Sequence, residues 1–464
     1  MITEQSDTIG QLTALMQRGA RVHLVGIGGV SVSPLAEVLL KNGLSVTGSD
    51  LRASEVTERL QALGIPVFIG HSADNLGSAE FVVRTAAARD DNAEIAAARA
   101  AGIPVFERAE AWGVIMRGYK NAVCIAGAHG KTTTTSMTAH ILLAAELDPT
   151  VMIGGTLSSL GSGYRVGSGD TIVLESCEYY DSFLSFAPTV AVVLNIDADH
   201  LDYFGTLENV KASFREFALK TPENGLVIVC GDDANTTDAL AGIDREVLTF
   251  GFGNGCDVRC ESASLEGKGS LFNVVYEDRV YCKLHLRVPG RHNISNALAA
   301  CAAAIYLGVP AEVIEDSLAG FTGAERRFDY RGECGGADVY DDYAHHPTEL
   351  RALFDAAREL PYNRVIAAFQ PHTYSRTSQH FDAFVRELSR ADKLFLVDIY
   401  AARETNTYGI ESTDLVRAIP GSVYCESFDA LAAALRAEAR PGDLILTIGA
   451  GELNKVAAQL TAES

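Results

Sequence analysis

Short runs of β-branched and other apolar residues alternate along this chain with helix-length amphipathic stretches. Arg21-Val-His-Leu-Val-Gly26, Ala122-Val-Cys-Ile-Ala-Gly127 and Arg364-Val-Ile-Ala-Ala-Phe369 each open a segment, and Phe81–Val83, Thr171–Leu174, Val190–Leu194 and Leu226–Val229 recur between them. Alternation of this kind predicts parallel sheets covered by helices, an α/β fold. Polar, Gly-containing links near Tyr119-Lys120 and Thr322-Gly323 divide the chain into three expected domains, 1–119, 120–322 and 323–464. Between Phe250 and Val288 the period changes to two, in Leu271–Tyr276 and Val280–Leu286, which predicts a small antiparallel side sheet. No repeat of solenoid length and no low-complexity tract interrupts this organisation.

Length agrees with the domain count, since 464 residues correspond to roughly three domains at about 150 residues each. With 47% hydrophobic and 21% charged residues the composition is that of a globular protein. Lys and Arg number 38 against 60 Asp and Glu, a net charge of −22, which removes the diffuse positive field needed to bind nucleic acid or an anionic membrane. An anionic ligand must therefore be held locally, by backbone N–H groups, a metal ion and a few placed cations. No apolar run reaches membrane-spanning length, and Met1–Gly10 lacks the basic-then-apolar order of an export signal. Nine scattered cysteines without a paired framework are expected as buried thiols of a reducing cytoplasm.

The chemistry concentrates in loops. The central run ends in Gly127-Ala-His129-Gly130-Lys131-Thr132-Thr133 ahead of a helix-compatible stretch to about Glu146. A glycine turn between strand and helix aims N–H groups and a positive helix end at one point, lysine adds a charge and threonine a hydroxyl for Mg²⁺, so this is read as a triphosphate site. Only two residues separate Gly127 from Gly130, against four in the general phosphate loop. The first loop, Gly26-Ile-Gly28-Gly29-Val-Ser31, resembles a dinucleotide fingerprint with serine in the third glycine position, and Asp50, after Ser49 at the end of the next strand, is placed to accept ribose hydroxyls. Gly449-Ala-Gly451 is read as a turn in reach of ligand.

Strand Thr171–Leu174 ends in Glu175-Ser-Cys-Glu178, where a Mg²⁺ ligand beside a phosphate loop belongs, and the next strand ends in Asn195-Ile-Asp197-Ala-Asp199-His200. Pro289-Gly-Arg-His292-Asn293-Ile-Ser-Asn296 opens an Ala-rich helix; its amides suit either a base edge or an N-cap. Arg326 and Arg327 are read as bidentate anion binders. Strand Ala337–Tyr340 leads into Asp341-Asp342-Tyr343-Ala-His345-His346-Pro347, too polar for a packed core and without a third ligand at zinc spacing, and Phe369-Gln-Pro-His372-Thr-Tyr-Ser-Arg376 offers a histidine and an arginine to a carboxylate.

Taken together in order, Ala126–Thr135, Glu175, Asn195–His200, Gly290–Asn293, Arg326–Phe328 and Asp341–Pro347 resemble the Mur ligase family over nearly the whole chain, the short spacing inside the phosphate loop included. The resemblance implies an amino-terminal Rossmann-like UDP-binding domain, a central P-loop ATPase-like domain and a carboxy-terminal Rossmann-like domain. It implies a bacterial, cytoplasmic, ATP-dependent ligase that uses Mg²⁺ or Mn²⁺ to join L-alanine to UDP-N-acetylmuramate, as a monomer or a homodimer. Gly26, Gly28, Gly29, Ser49 and Asp50 are then expected at the UDP-sugar. Gly127, His129, Gly130, Lys131, Thr132, Thr133, His292, Asn293, Asn296, Arg327 and Asp342 are expected at ATP. Thr132, Glu175 and His200 are expected at metal, and Tyr343, His345, His372 and Arg376 at the amino acid. Lys131, His200, His345, His372 and Arg376 form the expected catalytic set, with His345 and His372 both eligible to take a proton. Ser31, and Glu175-Ser-Cys-Glu178 in place of the commoner Glu-Ala-Asp-Glu, depart from the family pattern, and no residue after His200 stands clearly for its carbamylated lysine. Two other readings remain: a ligase that adds a ready-made tripeptide to the same UDP-sugar, and, from the first glycine loop, an NAD-dependent oxidoreductase.

Overall fold

The computed structural model describes residues 2–85, 87–157 and 160–462. The chain forms two compact units, Met1–Cys256 with Ala299–Val309, and Asp257–Leu298 with Pro310–Ser464.

In the first unit, the amino-terminal sheet runs Val67–Ile69, Val46–Asp50, Val22–Val25, Phe81–Arg84, Val105–Glu107 across its width, every pairing parallel. The middle strand Val22–Val25 is buried at every position, as a strand covered on both faces must be, and this is why its sequence is an apolar run rather than an alternation. Its end opens into the first glycine loop and the helix Ser33–Lys41, and the order reverses direction here, the place where parallel sheets hold ligands. A second sheet follows in the order Glu246–Gly251, Leu226–Cys230, Val190–Val193, Asn121–Ala126, Thr171–Glu175, Thr150–Leu157, Ser162–Arg165. Its pairings are parallel except for the last, antiparallel one. Asn121–Ala126 lies between strands reached from opposite directions, so the phosphate-type loop also leaves a switch point.

One apolar core serves both sheets of this unit, running from Leu12 and Phe81 through Trp112 to Phe183, Phe214 and Phe217. Phe183 stacks on Phe217 at 4.6 Å and meets Phe214 edge-on at 5.2 Å. Polar contacts reinforce it: Lys41 donates to the carbonyl of Gly167 and to Ser168 Oγ at 3.0 Å, Tyr164 donates to Glu37, and Arg59 lies 4.9 Å over the Tyr164 ring.

In the second unit a sheet runs Asp329–Cys334, Ala337–Asp342, Leu444–Ile448, Val365–Phe369, Lys393–Leu396, Val423–Tyr424, parallel except for the antiparallel first pair. Its two faces bury separate clusters, one around Phe354, Phe369 and Phe384 and the other around Ile366, Phe395 and Leu431. Val258–Glu266, Gly269–Tyr276 and Arg279–Leu286 form the antiparallel meander expected from their period-two pattern, and they group with this second unit.

Two features differ from the sequence expectation. The strand expected to stop at Tyr340 continues through Asp342, because both aspartates are buried and satisfied: Asp341 accepts from Thr447 Oγ1 at 2.7 Å and Arg326 Nε at 2.9 Å, and Asp342 accepts from the backbone N–H groups of Phe328 and Ala344 at 2.7 and 2.8 Å. His346, expected outside any core, is 3% exposed and caps the helix Pro347–Glu359 by accepting from the Thr348 N–H. All nine cysteines are free thiols, eight of them buried.

Helix Arg108–Met116 packs on the segment Tyr179–Ser185 at a glycine. A Cβ on Gly113 would stand 1.9 Å from the Ser185 carbonyl oxygen, a backbone atom that cannot swing aside. Gly113→Ala is therefore expected to cost about 1–3 kcal/mol through overpacking and to lower the thermal unfolding temperature by several degrees, read by calorimetry.

Candidate functional site

The central glycine loop is shaped by backbone rather than by side-chain bulk. Gly127 and Gly130 have φ of 151° and 85°, and Gly130 caps the helix Lys131–Ala144 in the left-handed region. Neighbouring strand ends brace it. Asn195 Oδ1 accepts from the His129 N–H at 2.8 Å, Asn195 Nδ2 donates to the His129 carbonyl at 2.9 Å, and His129 Nε2 lies 3.0 Å from Asp197 Oδ2. Lys131 folds back over the loop, donating to the carbonyls of Gly127 and Ala128 and to both oxygens of Glu178, at 3.1 and 2.9 Å. Burial by itself would lower the Lys131 ammonium's pKa; the Glu178 carboxylate outweighs it and holds it above the ordinary lysine value, so the charge persists. Thr132 Oγ1 donates to Glu175 Oε1 at 3.1 Å, and Glu175 Oε2 accepts from the Gly154 N–H at 2.6 Å. Thr133 is buried in the same first turn. His200, at a left-handed φ of 55°, stacks on Tyr179 with ring centres 4.3 Å apart and brings Nε2 to 3.8 Å from Glu178 Oε1. Lys131, Thr132, Glu175 and His200 are thus joined through Thr132–Glu175 and Lys131–Glu178–His200. Cys177, between the glutamates, has its thiol pushed up to about 11 by burial and by Glu178, against the opposing pull of Lys131.

At the first glycine loop, Gly26 has φ 79° and Gly28 donates its N–H to Asp50 Oδ2 at 2.9 Å. A Cβ on Gly28 would meet that oxygen at 3.0 Å. Ser31, in the position where the fingerprint has glycine, gives its carbonyl to Trp112 Nε1 at 3.0 Å, which ties the loop to the core. Beneath it lies a group that the sequence reading missed. Glu94, fully buried, accepts from Ser49 Oγ at 2.6 Å and Asn75 Nδ2 at 2.6 Å, pairs with His71 Nδ1 at 2.9 Å, and has His23 Nε2 at 3.6 Å. Burial would raise its carboxyl; hydrogen bonds from His23, Ser49, Asn75 and His71 overcome that and hold it at about 2. Ser49 therefore supports this buried carboxylate as well as following Gly48 to the loop. No spacing rule links Glu94 to Ser49, 45 residues away, so the signal was absent from the sequence.

In the second unit Asn293 is buried and donates Nδ2 to the Pro289 carbonyl at 2.7 Å, while Asn296 Nδ2 lies 3.4 Å from Asn293 Oδ1. Neither caps the helix, which begins at Arg291. His292 precedes them on the first turn, exposed. Arg326 departs from the expected anion-binding role: its guanidinium is committed to Asp341, to the Gly449 carbonyl at 2.7 Å and to the Gly451 carbonyl at 3.1 Å, which fastens the third glycine loop. Arg327 lies over the Tyr343 ring at 5.1 Å and 3.8 Å from Glu349. Burial pushes the Asp342 carboxyl up to about 6, against the pull of Arg327 and two backbone donors. Tyr343, His345, His372 and Arg376 do come together: the His345 ring meets Tyr343 at 5.5 Å and His372 at 5.7 Å, and Arg376 Nη1 reaches the His372 carbonyl at 2.9 Å and its Nδ1 at 3.2 Å. Two carboxylates were given no role from the sequence. Glu349 accepts from the N–H groups of His345 and His346, and Glu404 from Thr373 and from the Ser375 N–H at 2.9 Å. The first was findable, since Glu three residues after a capping residue is a capping-box pattern.

Comparison with known proteins adds to this geometry. Residues 21–120 match the family described as Mur ligase family, catalytic domain, residues 125–304 match Mur ligase middle domain, and residues 326–451 match Mur ligase, glutamate ligase domain. The UDP-N-acetylmuramate–L-alanine ligase of Caldanaerobacter subterraneus subsp. tengcongensis is 43% identical over 454 residues, 97% of this chain and 99% of that one. Among solved structures, UDP-N-acetylmuramate–alanine ligase from Thermotoga maritima superposes with a TM-score of 0.78 at 30% identity, covering 95% of this chain and 98% of that one. A murein peptide ligase from Psychrobacter arcticus shares the fold at a TM-score of 0.70 and 24% identity, covering 95% and 98%.

Glu94 sets a pH prediction. With its carboxyl at about 2 folded against 4.5 as the ordinary value, the unfolded chain binds the extra proton between those values, so this contribution is fully present above about pH 4.5 and is lost as the pH falls toward 2. Glu94→Gln should be most destabilising near neutrality, and its difference from the wild type should shrink on acidification by up to about 3 kcal/mol, measured by denaturant midpoints at a series of pH values.

Proposed function

This chain belongs to the Mur ligase family, and from that premise we infer that it is an ATP-dependent ligase joining L-alanine to the lactyl carboxylate of UDP-N-acetylmuramate through an acyl phosphate, a step of peptidoglycan precursor synthesis. The observation that carries the reading is the 43% identity to a UDP-N-acetylmuramate–L-alanine ligase across 97% of this chain and 99% of that one. It favours alanine over a ready-made tripeptide as the added group, and the ligase over an NAD-dependent oxidoreductase.

The chemistry follows from what a carboxylate lacks. Its oxygen is a poor leaving group, so the lactyl carboxylate is first phosphorylated by attack on the γ-phosphate, and alanine's amine then displaces phosphate. In the proposed division of labour residues 1–119 hold the UDP-sugar, 120–322 hold ATP and 323–464 hold the amino acid. Gly26, Gly28 and Gly29 allow the pyrophosphate to approach the backbone closely, with Ser49 and Asp50 beside it. Gly127 to Gly130 with His129, Lys131, Thr132 and Thr133 take the triphosphate, and Lys131 neutralises charge that gathers between two anions. His292, Asn293, Asn296, Arg327 and Asp342 serve the remainder of ATP. Thr132 and Glu175 offer the hard oxygen donors that suit Mg²⁺ or Mn²⁺, and their 3.1 Å approach fits a shared ion; His200 is the proposed ligand of a second. When bound, such an ion screens phosphate charge and aligns the γ-phosphate. Tyr343, His345, His372 and Arg376 surround alanine, with Arg376 on its carboxylate. A cytoplasmic location completes the proposal; among the described residues no helix is long and apolar enough to cross a membrane.

Phosphate release with ATP and UDP-N-acetylmuramate should be stimulated by L-alanine and not by L-alanyl-γ-D-glutamyl-diaminopimelate; the reverse preference would replace alanine by tripeptide as the substrate. Lys131→Ala should abolish phosphate release, by about a hundredfold or more, while UDP-sugar binding by calorimetry is kept. Arg376→Ala should raise the KM for alanine at least tenfold with the KM for ATP nearly unchanged, as measured by steady-state kinetics.

A further inference from the structure

The two histidines at the proposed alanine site are not equivalent, because their Nδ1 atoms face opposite kinds of partner. His345 Nδ1 lies 2.9 Å from the carbonyl oxygen of Tyr343 and 3.3 Å from Glu349 Oε2. Both neighbours only accept, so Nδ1 carries a proton, and in the neutral ring the lone pair is on Nε2. His372 Nδ1 lies 3.2 Å from Arg376 Nη1, which also donates to the His372 carbonyl. A guanidinium only donates, so here Nδ1 keeps the lone pair and the proton sits on Nε2. Tyr400 stacks on the His372 ring at 5.6 Å with planes 10° apart, which holds this orientation.

We propose that His345 is the general base of the amide-forming step, with Glu349 as its positioning residue, and that His372 acts as a hydrogen-bond donor. The assignment rests on the ligase reading above. In this step alanine's ammonium gives one proton to His345 Nε2, and the freed amine forms the C–N bond at the acyl phosphate carbon while the carbonyl electrons move to oxygen. His372 Nε2–H is the donor suited to that oxygen. The intermediate collapses as the C–O bond to phosphorus breaks, and the second ammonium proton leaves with the phosphate as hydrogen phosphate. His345 then returns its proton to water. The imidazolium that forms is matched by the Glu349 carboxylate, which the backbone N–H groups of His345 and His346 hold at 2.9 and 3.2 Å. Neutral His372 agrees with its surroundings, since burial, His345 and Arg376 push its pKa down to about 4.

Hydroxylamine separates the roles, because it is already unprotonated at neutral pH and traps an acyl phosphate as a hydroxamate without needing a base. With ATP and UDP-N-acetylmuramate present, His345→Gln should lower the alanine-dependent rate by about a hundredfold or more and leave hydroxamate formation within a few-fold of wild type. His372→Gln should slow both nucleophiles alike. Should His345→Gln fail to fold, Glu349→Gln, which keeps the imidazole, should lower kcat with alanine about tenfold without changing its KM or the hydroxamate rate. Equal losses for both nucleophiles in His345→Gln, a nucleophile-selective loss in His372→Gln instead, or unchanged alanine turnover in Glu349→Gln would each overturn the assignment. A wild-type protein that forms neither product would remove the ligase reading, a distinct outcome.

Discussion

A polyanion that meets a protein of net charge −22 has to be held at short range, and at the proposed triphosphate loop the Lys131–Glu178 pair fixes where one cation stands. The ammonium is 14% exposed and the carboxylate 3%. Removing either partner would strand a charge in a poorly solvated place, a far larger disturbance than breaking a surface ion pair. The pair also fixes where the glycine loop sits, because the same ammonium donates to two loop carbonyls. From that point the bracing by Asn195 and Asp197, the Thr132–Glu175 contact and the position of His200 follow as neighbours that must fit around one held cation.

Carboxylates carry much of the architecture in this acidic chain. Asp50 fastens the first glycine loop, Asp341 and Arg326 fasten the third, Asp342 gathers two backbone donors, Glu94 collects four side chains, and Glu349 and Glu404 hold the turns that present His345 and His372. Negative charge that would be costly if unpaired in the interior is consumed as acceptor capacity. Each of these loops is thereby held by groups whose orientation the fold fixes, the kind of preorganisation that keeps reorganisation out of a chemical step.

The strands and glycine loops were legible because burial on both faces writes itself as a continuous apolar run, and a left-handed turn writes itself as glycine. Gly127, Gly130 and the strand before them needed no tertiary information. Strand Ala337–Asp342 was read two residues short because its last members are aspartates, and only distant partners such as Thr447 and Arg326 make them tolerable in a strand. Arg326 looked like a ligand residue for the converse reason, since its acceptors, the carbonyls of Gly449 and Gly451, are more than a hundred residues away. His345 and His372 were recognised as a pair, but their difference lies in a backbone carbonyl and a guanidinium placed by folding. Glu94 is the extreme case: its whole environment is long-range.

Cys177 shows a further consequence of packing the centre so densely with acids. A thiol attacks electrophiles as thiolate, and at about 11 this one is almost entirely protonated near neutrality, because burial and the adjacent Glu178 carboxylate outweigh the field of Lys131. Covalent inhibitors that rely on cysteine alkylation would find poor purchase here, and peroxide would oxidise it slowly. Compounds aimed at the proposed triphosphate loop must gain their residence time from anion mimicry rather than from a warhead.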